Sequence, residues 1–441
     1  MKGIWSFFRT ITKGSGNMKY TELSKEQLEA LHKELEIEYA ELKSKKLKLD
    51  MSRGKPCPEQ LDLSMDALTV LRTEADLKSE NGFDCRNYGI LEGVAEAREL
   101  IASITDAKSE EVFIGGNSSL NLMYMMITQA WIHGIAGETP WGKLPKVKFL
   151  CPVPGYDRHF KITESFGIEM INIPMGESGP DIELIENYVN NDPTVKGIWC
   201  IPKYSNPDGY TYSDETVRRM ANLKPAAPDF RIFWDNAYII HHFDVDHADQ
   251  LLNLRKECVQ AGNPEMVYEF MSTSKVLFPG AGIAAMITTE KNIKETLKHT
   301  TVQTIGHDKI NQLRHVKFFK NLKGVEEHMK KHAAIIIPRF KIVFDNFREL
   351  GELGIARWTK PNGGYFISLF TIPGCAKRTV SLCKEAGVVL TGAGAAYPYG
   401  VDPKDEHIRI APTYPSKEDL TEACKAMVVC AKLAAVEKLM A

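Results

Sequence analysis

Val267-Tyr268-Glu269-Phe270-Met271-Ser272-Thr273-Ser274-Lys275 begins as a strand-length apolar run and ends in a serine-rich turn closed by a lysine. Upstream, Ile232-Phe233-Trp234-Asp235-Asn236-Ala237-Tyr238 follows the same plan, an apolar run with an acid at its carboxyl end. Working outward, short apolar runs recur at Val112–Ile114, Val147–Cys151, Met170–Ile173, Gly197–Ile201 and Ile283–Ile287. Helical stretches separate them, at Leu120–Ile132, Asp157–Phe166, Asp181–Asn190 and Ser213–Asn222. This alternation predicts an α/β fold, with a mostly parallel seven-stranded sheet covered by helices. Ligands on such a sheet collect at the carboxyl ends of strands, where Asp235 and Ser272 both fall.

The flanks read differently. Ser24-Lys25-Glu26-Gln27 is a capping box, and Leu28, Leu31, Leu35, Tyr39 and Leu42 then recur at helical spacing. The helix runs to about Lys46, and Met51-Ser52-Arg53-Gly54-Lys55-Pro56 follows as a turn. Beyond residue 310, one helical region is expected over Lys309–Lys331 and another from Lys331 to about Leu350. Strand-like Gly364–Phe370, Val388–Leu390 and Ile408–Ile410 precede a closing helix after Ser416. Residues 18–63 and 330–441 therefore read as a small α+β domain, and residues 64–329 as a large one. Residues 1–17 read as a disordered extension, since Trp5, Phe7 and Phe8 are too few and too interrupted for a signal peptide.

The bulk composition excludes several classes. The 441 residues are 44% hydrophobic and 25% charged, the balance of a soluble globular protein. A net charge of −2 gives no electrostatic footprint for nucleic acid. No apolar run approaches the roughly 20 residues that span a bilayer. The 9 cysteines are scattered with no Cys-x-x-Cys pair, which suits free thiols in a reducing cytoplasm. His241, His242, Asp244, Asp246 and His247 read as a polar loop rather than a metal site.

The order of charged residues carries chemistry. Asp235 precedes Lys275, and Arg409-Ile410-Ala411-Pro412 follows both. That order suits an enzyme that holds pyridoxal phosphate. A lysine amine forms a Schiff base with the cofactor aldehyde, and an acid partners the pyridinium nitrogen. An arginine then grips a substrate carboxylate with two parallel hydrogen bonds. On local grounds alone, Asp235 serves equally as a helix cap, Asn206 as a turn residue and Arg409 as a salt-bridge partner.

Three further runs sit in the matching order: Gly116-Asn117-Ser118-Ser119-Leu120, Pro154-Gly155-Tyr156-Asp157-Arg158-His159 and Phe278-Pro279-Gly280-Ala281-Gly282. With them the chain resembles the pyridoxal-phosphate-dependent class I aminotransferases of fold type I, from about Met18 onward. It is most similar to the bacterial aspartate aminotransferase subgroup, which also resembles the effector domain of MocR-type regulators. The resemblance implies that Lys275 carries the cofactor and moves a proton, that Asp235 partners the ring nitrogen, and that Tyr238 and Asn206 share the phenolic oxygen. It implies that Tyr156 stacks on the ring. Asn117, Ser118, Ser119 and Ser272 would hold the phosphate, where free helix-start amides favour an anion. Tyr88 would reach the phosphate of a neighbouring subunit, so a homodimer with shared sites is implied. Arg409 would take the α-carboxylate and Gly54 would let the substrate approach. Arg53, Arg158 and Lys309 are candidates for a distal carboxylate. One departure stands out. Many members place an arginine about eight residues after the lysine, and here none occurs between Lys275 and Arg314.

The expected activity is transfer of the amino group from L-aspartate to 2-oxoglutarate. Other amino donors, a β-eliminating lyase and a ligand-sensing regulator use the same parts. The last normally carries an N-terminal DNA-binding domain, which this chain leaves little room for.

Overall fold

The computed structural model describes residues 18–441. The extension expected at residues 1–17 lies outside the described residues. Thirteen strands occur among the described residues: β1 Leu49–Asp50, β2 Val112–Ile114, β3 Lys148–Val153, β4 Glu169–Gly176, β5 Gly179–Pro180, β6 Val195–Cys200, β7 Arg231–Asp235, β8 Val267–Ser272, β9 Ala284–Ile287, β10 Ala356–Trp358, β11 Ile367–Thr371, β12 Val388–Val389 and β13 His407–Ile410.

The main sheet has eight strands in the order β2-β9-β8-β7-β6-β3-β4-β5. All seven apolar runs read from the sequence are in it. The eighth strand, β5, has two residues and pairs antiparallel with β4 at the edge. It has no apolar run of its own to betray it. Strands β8, β7, β6, β3 and β4 pair in parallel, and only β9 runs against its long neighbours. Strands β6 and β7 are buried along their whole length, because helices cover both faces.

The second layer of structure joins the two ends of the chain. Strand β1 pairs in parallel with β12, and β10, β11 and β13 form an antiparallel sheet. One apolar cluster collects Leu28, Leu35 and Tyr39 from the first helix with Phe340, Val343, Phe347 and the closing helix around Met427. The first helix, Lys25–Ser44, starts on the expected capping box: Gln27 N donates to Ser24 Oγ, and Ser24 N donates to Gln27 Oε1 at 2.8 Å. The break expected at Lys331 is not there. The helices are Lys309–Phe319 and Leu322–Glu352, and the second runs through Pro338 unbroken. The chain breaks earlier, at Lys320 with φ 67°, where Asn321 caps the new helix.

Candidate active site

Strands β2, β3, β6, β7 and β8 end on one side of the main sheet, and residues at or after their ends line much of a cavity of about 240 Å³. Strand β2 ends at Ile114 and leads through Gly115 and Gly116 to Ser118 and Ser119 at the start of helix Ser119–His133. Gly116 takes φ 73°, a left-handed turn that a side chain resists. Strand β3 delivers Tyr156 and Asp157, β6 delivers Ile201 and Asn206, β7 ends on Asp235, and β8 ends on Ser272. Segments from the two ends of the chain add Arg53, Gly54, Lys55, Phe366 and Arg409. Three clefts are larger: those of about 350 and 490 Å³ border the amino ends of the strands, one of about 380 Å³ is lined by Gly209 and Pro361, and none contains Lys275, Asp235 or Arg409.

The Lys275 amine lies over the Tyr238 ring, 4.9 Å from its centre, and 5.9 Å from that of Tyr365. Burial pushes this amine below its ordinary value, and Asp235 pulls the other way. An amine so placed reaches its neutral, nucleophilic form more easily.

Asp235 is only 3% exposed. Its Oδ2 lies 3.0 Å from His159 Nε2, and the His159 ring stacks on Trp199 at 4.6 Å. A carboxylate only accepts, so this bond places a proton on His159 Nε2. The other oxygen, Oδ1, is buried without a partner among the described residues. The fair rival reading, a helix cap, fails here, since no helix starts at Asp235. An orphaned carboxylate oxygen facing a cavity suits a protonated ring nitrogen.

Serine hydroxyls gather on the same side. Ser272 Oγ donates to Ser274 Oγ at 3.1 Å, and Ser274 Oγ donates to the Asn117 carbonyl at 3.4 Å. Ser118 sits at the helix N-cap, yet its side chain makes no capping bond. Hydroxyls left over beside a helix start are a donor set for a phosphate. The cations lining the cavity are Arg53, Lys55, Lys275 and Arg409, and none comes from the stretch between Lys275 and Arg314 that lacks an arginine. Together the free Asp235 oxygen, the lysine amine and the hydroxyls fit a pyridoxal phosphate.

Arg409 NH1 donates to Asp157 Oδ1 at 2.8 Å and lies 3.4 Å from Asn206 Oδ1. Its NH2 lies 3.4 Å from Thr391 Oγ1, and its Nε has no partner among the described residues. The guanidinium lies over Phe366, 5.2 Å from the ring centre. Gly54 is packed on that same ring, and a Cβ there would come within 2.4 Å of Phe366 Cζ.

Of the residues singled out from the sequence, Lys275, Asp235, Tyr238, Asn206, Tyr156, Ser118, Ser119, Ser272, Gly54, Arg53 and Arg409 line this cavity. Asn117 contributes only its carbonyl, through Ser274. Tyr88 lies outside it and is 76% exposed. Arg158 and Lys309 are not among its lining residues. Among the described residues no three His, Cys, Asp or Glu side chains gather as a metal would need, in the His241 loop or elsewhere. His241 packs edge-on to Tyr238 and Tyr365, while His242 Nδ1 is 2.9 Å from Tyr204 OH. Sequence reasoning missed His159, Asp157, Ser274, Lys55 and Phe366. His159 and Asp157 stood inside a quoted run, and only the fold turns them toward Asp235 and Arg409.

All nine cysteines are free and buried, and no helix among the described residues is long and apolar enough to cross a membrane. The family model for aspartate amino-transferase matches residues 23–441. An aspartate aminotransferase of Corynebacterium glutamicum is 44% identical over 414 residues, covering 93% of this chain and 95% of that protein. The crystal structure of an aspartate transaminase from the same species superposes with a TM-score of 0.93 at 42% identity, over 96% of this chain and all of that one. LysN, an α-aminoadipate aminotransferase of Thermus thermophilus, shares the fold at a TM-score of 0.70 and 18% identity, covering 89% of this chain and 92% of that one. Its motifs, its fold and these relatives agree that the chain belongs to the aspartate amino-transferase family.

Proposed function

We propose that this protein is a pyridoxal-phosphate-dependent aspartate aminotransferase, which moves the amino group of L-aspartate to 2-oxoglutarate and yields oxaloacetate and L-glutamate. The observation that carries the reading is convergence. Lys275, Asp235 and Arg409 come from three strand ends and line one cavity. The Corynebacterium relative named for this activity supports it.

When bound, pyridoxal phosphate supplies an electrophilic carbon and a ring that accepts the electron pair released at the substrate Cα. Lys275 would hold the cofactor through its amine, and the same amine, in its neutral form, would carry the Cα proton. Asp235 holds a proton at the ring nitrogen, and His159 fixes the carboxylate from behind. Tyr238 and Asn206 orient the phenolic oxygen, and Tyr156 supplies a flat face for the ring. Ser118, Ser119, Ser272 and Ser274, with Asn117 behind them, take the phosphate. Arg409 and Asn206 take the α-carboxylate, and Gly54 leaves room for the substrate. Arg53 reads the distal carboxylate, with Lys55 beside it. Residues 18–63 and 330–441 form the small domain that brings Arg53 and Arg409 against the large domain, residues 64–329.

The exposed Tyr88 completes the site of a second copy, so the working unit is a homodimer. Mixing Tyr88→Ala and Lys275→Ala subunits should then restore activity, because one site of each hybrid is intact. Nine free thiols suit a reducing compartment such as the cytoplasm.

A panel of amino donors with 2-oxoglutarate, read by keto-acid production, tests the reading. Aspartate should give the highest kcat/KM. An alanine or aromatic donor that outruns it overturns the substrate assignment. Normal cofactor absorbance with no turnover of any donor overturns the enzyme reading in favour of a ligand sensor.

A further inference from the structure

Behind the cavity a second set of polar groups joins the two domains. Asn206 belongs to the loop Asn206-Pro207-Asp208-Gly209, and Arg409 to strand β13. Two residues along each segment lie Asp208 and His407. They are joined through Ser368: Ser368 Oγ lies 2.6 Å from Asp208 Oδ1 and 2.8 Å from His407 Nε2. Asp208 and His407 are each 2% exposed and Ser368 is 0% exposed. None of the three lines the cavity.

The sheet register explains the alignment. Ser368 on β11 stands opposite Arg409 on β13, and His407 precedes Arg409 by two residues. Residues two apart on a strand share a face, as do directly paired residues. Ser368, His407 and Arg409 therefore all face the loop of Asn206 and Asp208. The loop meets the small domain at a third point, since a Cβ on Gly209, at φ 75°, would lie 2.4 Å from Pro361 Cβ.

We propose that Asp208, Ser368 and His407 form a positioning unit that fixes Arg409 relative to Asn206, and so sets the strength of the grip on the substrate's α-carboxylate. The proposal rests on the reading that Arg409 and Asn206 take that carboxylate.

The chemistry of the unit suits a tie that must survive near-neutral pH. Burial pushes the Asp208 carboxyl up to about 7, against the pull of the Ser368 hydrogen bond and of Arg357. Tyr210, Tyr212 and Tyr397 also face it. Burial holds His407 neutral down to about 3, with Asp402 opposing and Arg409 and Arg357 assisting. A neutral imidazole nitrogen can accept or donate. With Asp208 protonated, its O–H donates to Ser368 Oγ and the serine O–H donates to His407 Nε2. With Asp208 ionised, His407 Nε2–H donates to Ser368 Oγ and the serine O–H donates to the carboxylate. Both arrangements leave the bridge intact.

The test uses the full-length, pyridoxal-phosphate-loaded enzyme and succinate, an unreactive dicarboxylate whose binding shifts the visible band. Ser368→Ala should raise the succinate Kd, and the KM of aspartate and alanine alike, by about tenfold or more, the cost of breaking buried hydrogen bonds. The cofactor band and Tm should stay near wild type. Ser368→Thr keeps the hydroxyl and should restore affinity to within about threefold, as should the isosteric Asp208→Asn. His407→Phe fills the ring space without a nitrogen and should show the same loss, which keeps the test available if Ser368→Ala misfolds. On an Arg409→Ala background, Ser368→Ala should cost nothing further. Wild-type succinate affinity in either Ser368→Ala or His407→Phe overturns the proposal. So does an equal loss in Ser368→Ala and Ser368→Thr, which would mean that side-chain volume matters rather than the hydroxyl. If Arg409→Ala itself leaves succinate affinity intact, the carboxylate assignment beneath the proposal falls instead.

Discussion

On the sheet side of the cavity, Asp235, Ser272 and Lys275 each lie within three residues of the end of a single buried strand. On the facing side, Arg53 and Arg409 come from opposite ends of the chain and meet through two separate pairings. Strand β1 runs beside β12, which sets the Arg53 turn next to Thr391. Thr391 Oγ1 donates to the Ser52 carbonyl at 2.6 Å and lies 3.4 Å from Arg409 NH2. The first side is rigid and local, so its residues suit chemistry that must not move. The second is assembled from distant segments; its exposed Arg53 and Lys55 suit discrimination between substrates, while the buried Arg409 suits the group that all donors share. Substitutions on the sheet side should therefore depress every donor equally, and those around Arg53 should depress donors selectively.

The largest effect is expected at Lys275. Lys275→Ala should lower kcat by about 10⁴-fold for every donor, the upper range for a positioned proton carrier. A borohydride-reducible link between cofactor and protein should disappear with it. Mass spectrometry that finds the cofactor reduced onto another lysine would break the assignment.

Asp235→Ala should follow, with a loss of roughly 10² to 10³-fold in kcat, the scale of one preorganised electrostatic partner. The phosphate donors are untouched, so cofactor retention after dialysis should stay near wild type. A near-normal kcat would reduce Asp235 to a structural role.

Arg53→Ala sharpens the contrast between the two sides. Arg53 and Lys55 are exposed, so a carboxylate bound there is partly screened by water. A loss of about fivefold to tenfold in kcat/KM is expected for aspartate, with little change for alanine. Added salt should erode the wild-type preference for aspartate in the same direction. An equal loss for both donors would make Arg53 part of the common scaffold.

A separate effect, read as stability rather than turnover, concerns Asp208. The Asp208 carboxyl is raised from its ordinary value of 3.8 to about 7, so the folded chain keeps a proton that the unfolded chain releases. Its contribution is complete below about pH 4 and is lost as pH climbs to about 7, by up to about 4 kcal/mol. Urea unfolding of wild type relative to Asp208→Asn should show that decline between pH 5 and 7 and level off above it. A difference that is flat with pH would mean that Asp208 titrates normally.

The contrast between the two sides also explains what could be read from the chain. Strands such as Ile232–Trp234 announce themselves by composition, and the acid or serine that ends each strand needs no long-range contact to be placed. Strand β5 escaped because Gly179 and Pro180 carry no apolar signal. The helix break was misplaced because Lys320 takes a positive φ, which a lysine seldom adopts and nothing in the sequence around it announces. His159 was invisible as a partner of Asp235, because their sequence separation of 76 is closed only by the neighbouring strands β3, β6 and β7. Arg409 was legible through the resemblance, but Ser368, His407 and Asp208 were not, since they carry no motif and their meaning lies in the register of β11 against β13.

The ion pair between Arg409 and Asp157 has a consequence for which molecules can enter. Asp157 is a tethered carboxylate already docked on Arg409, the cation proposed to take the substrate carboxylate. It acts as a permanent internal competitor, with an effective concentration of about millimolar or above. Chloride, acetate and other small anions should therefore compete poorly for the NH1 edge of Arg409 that Asp157 holds. A ligand displaces Asp157 only if it makes further contacts at the same time, such as a second carboxylate beside Arg53. The gate thus favours molecules with two well-spaced negative charges before any chemistry begins.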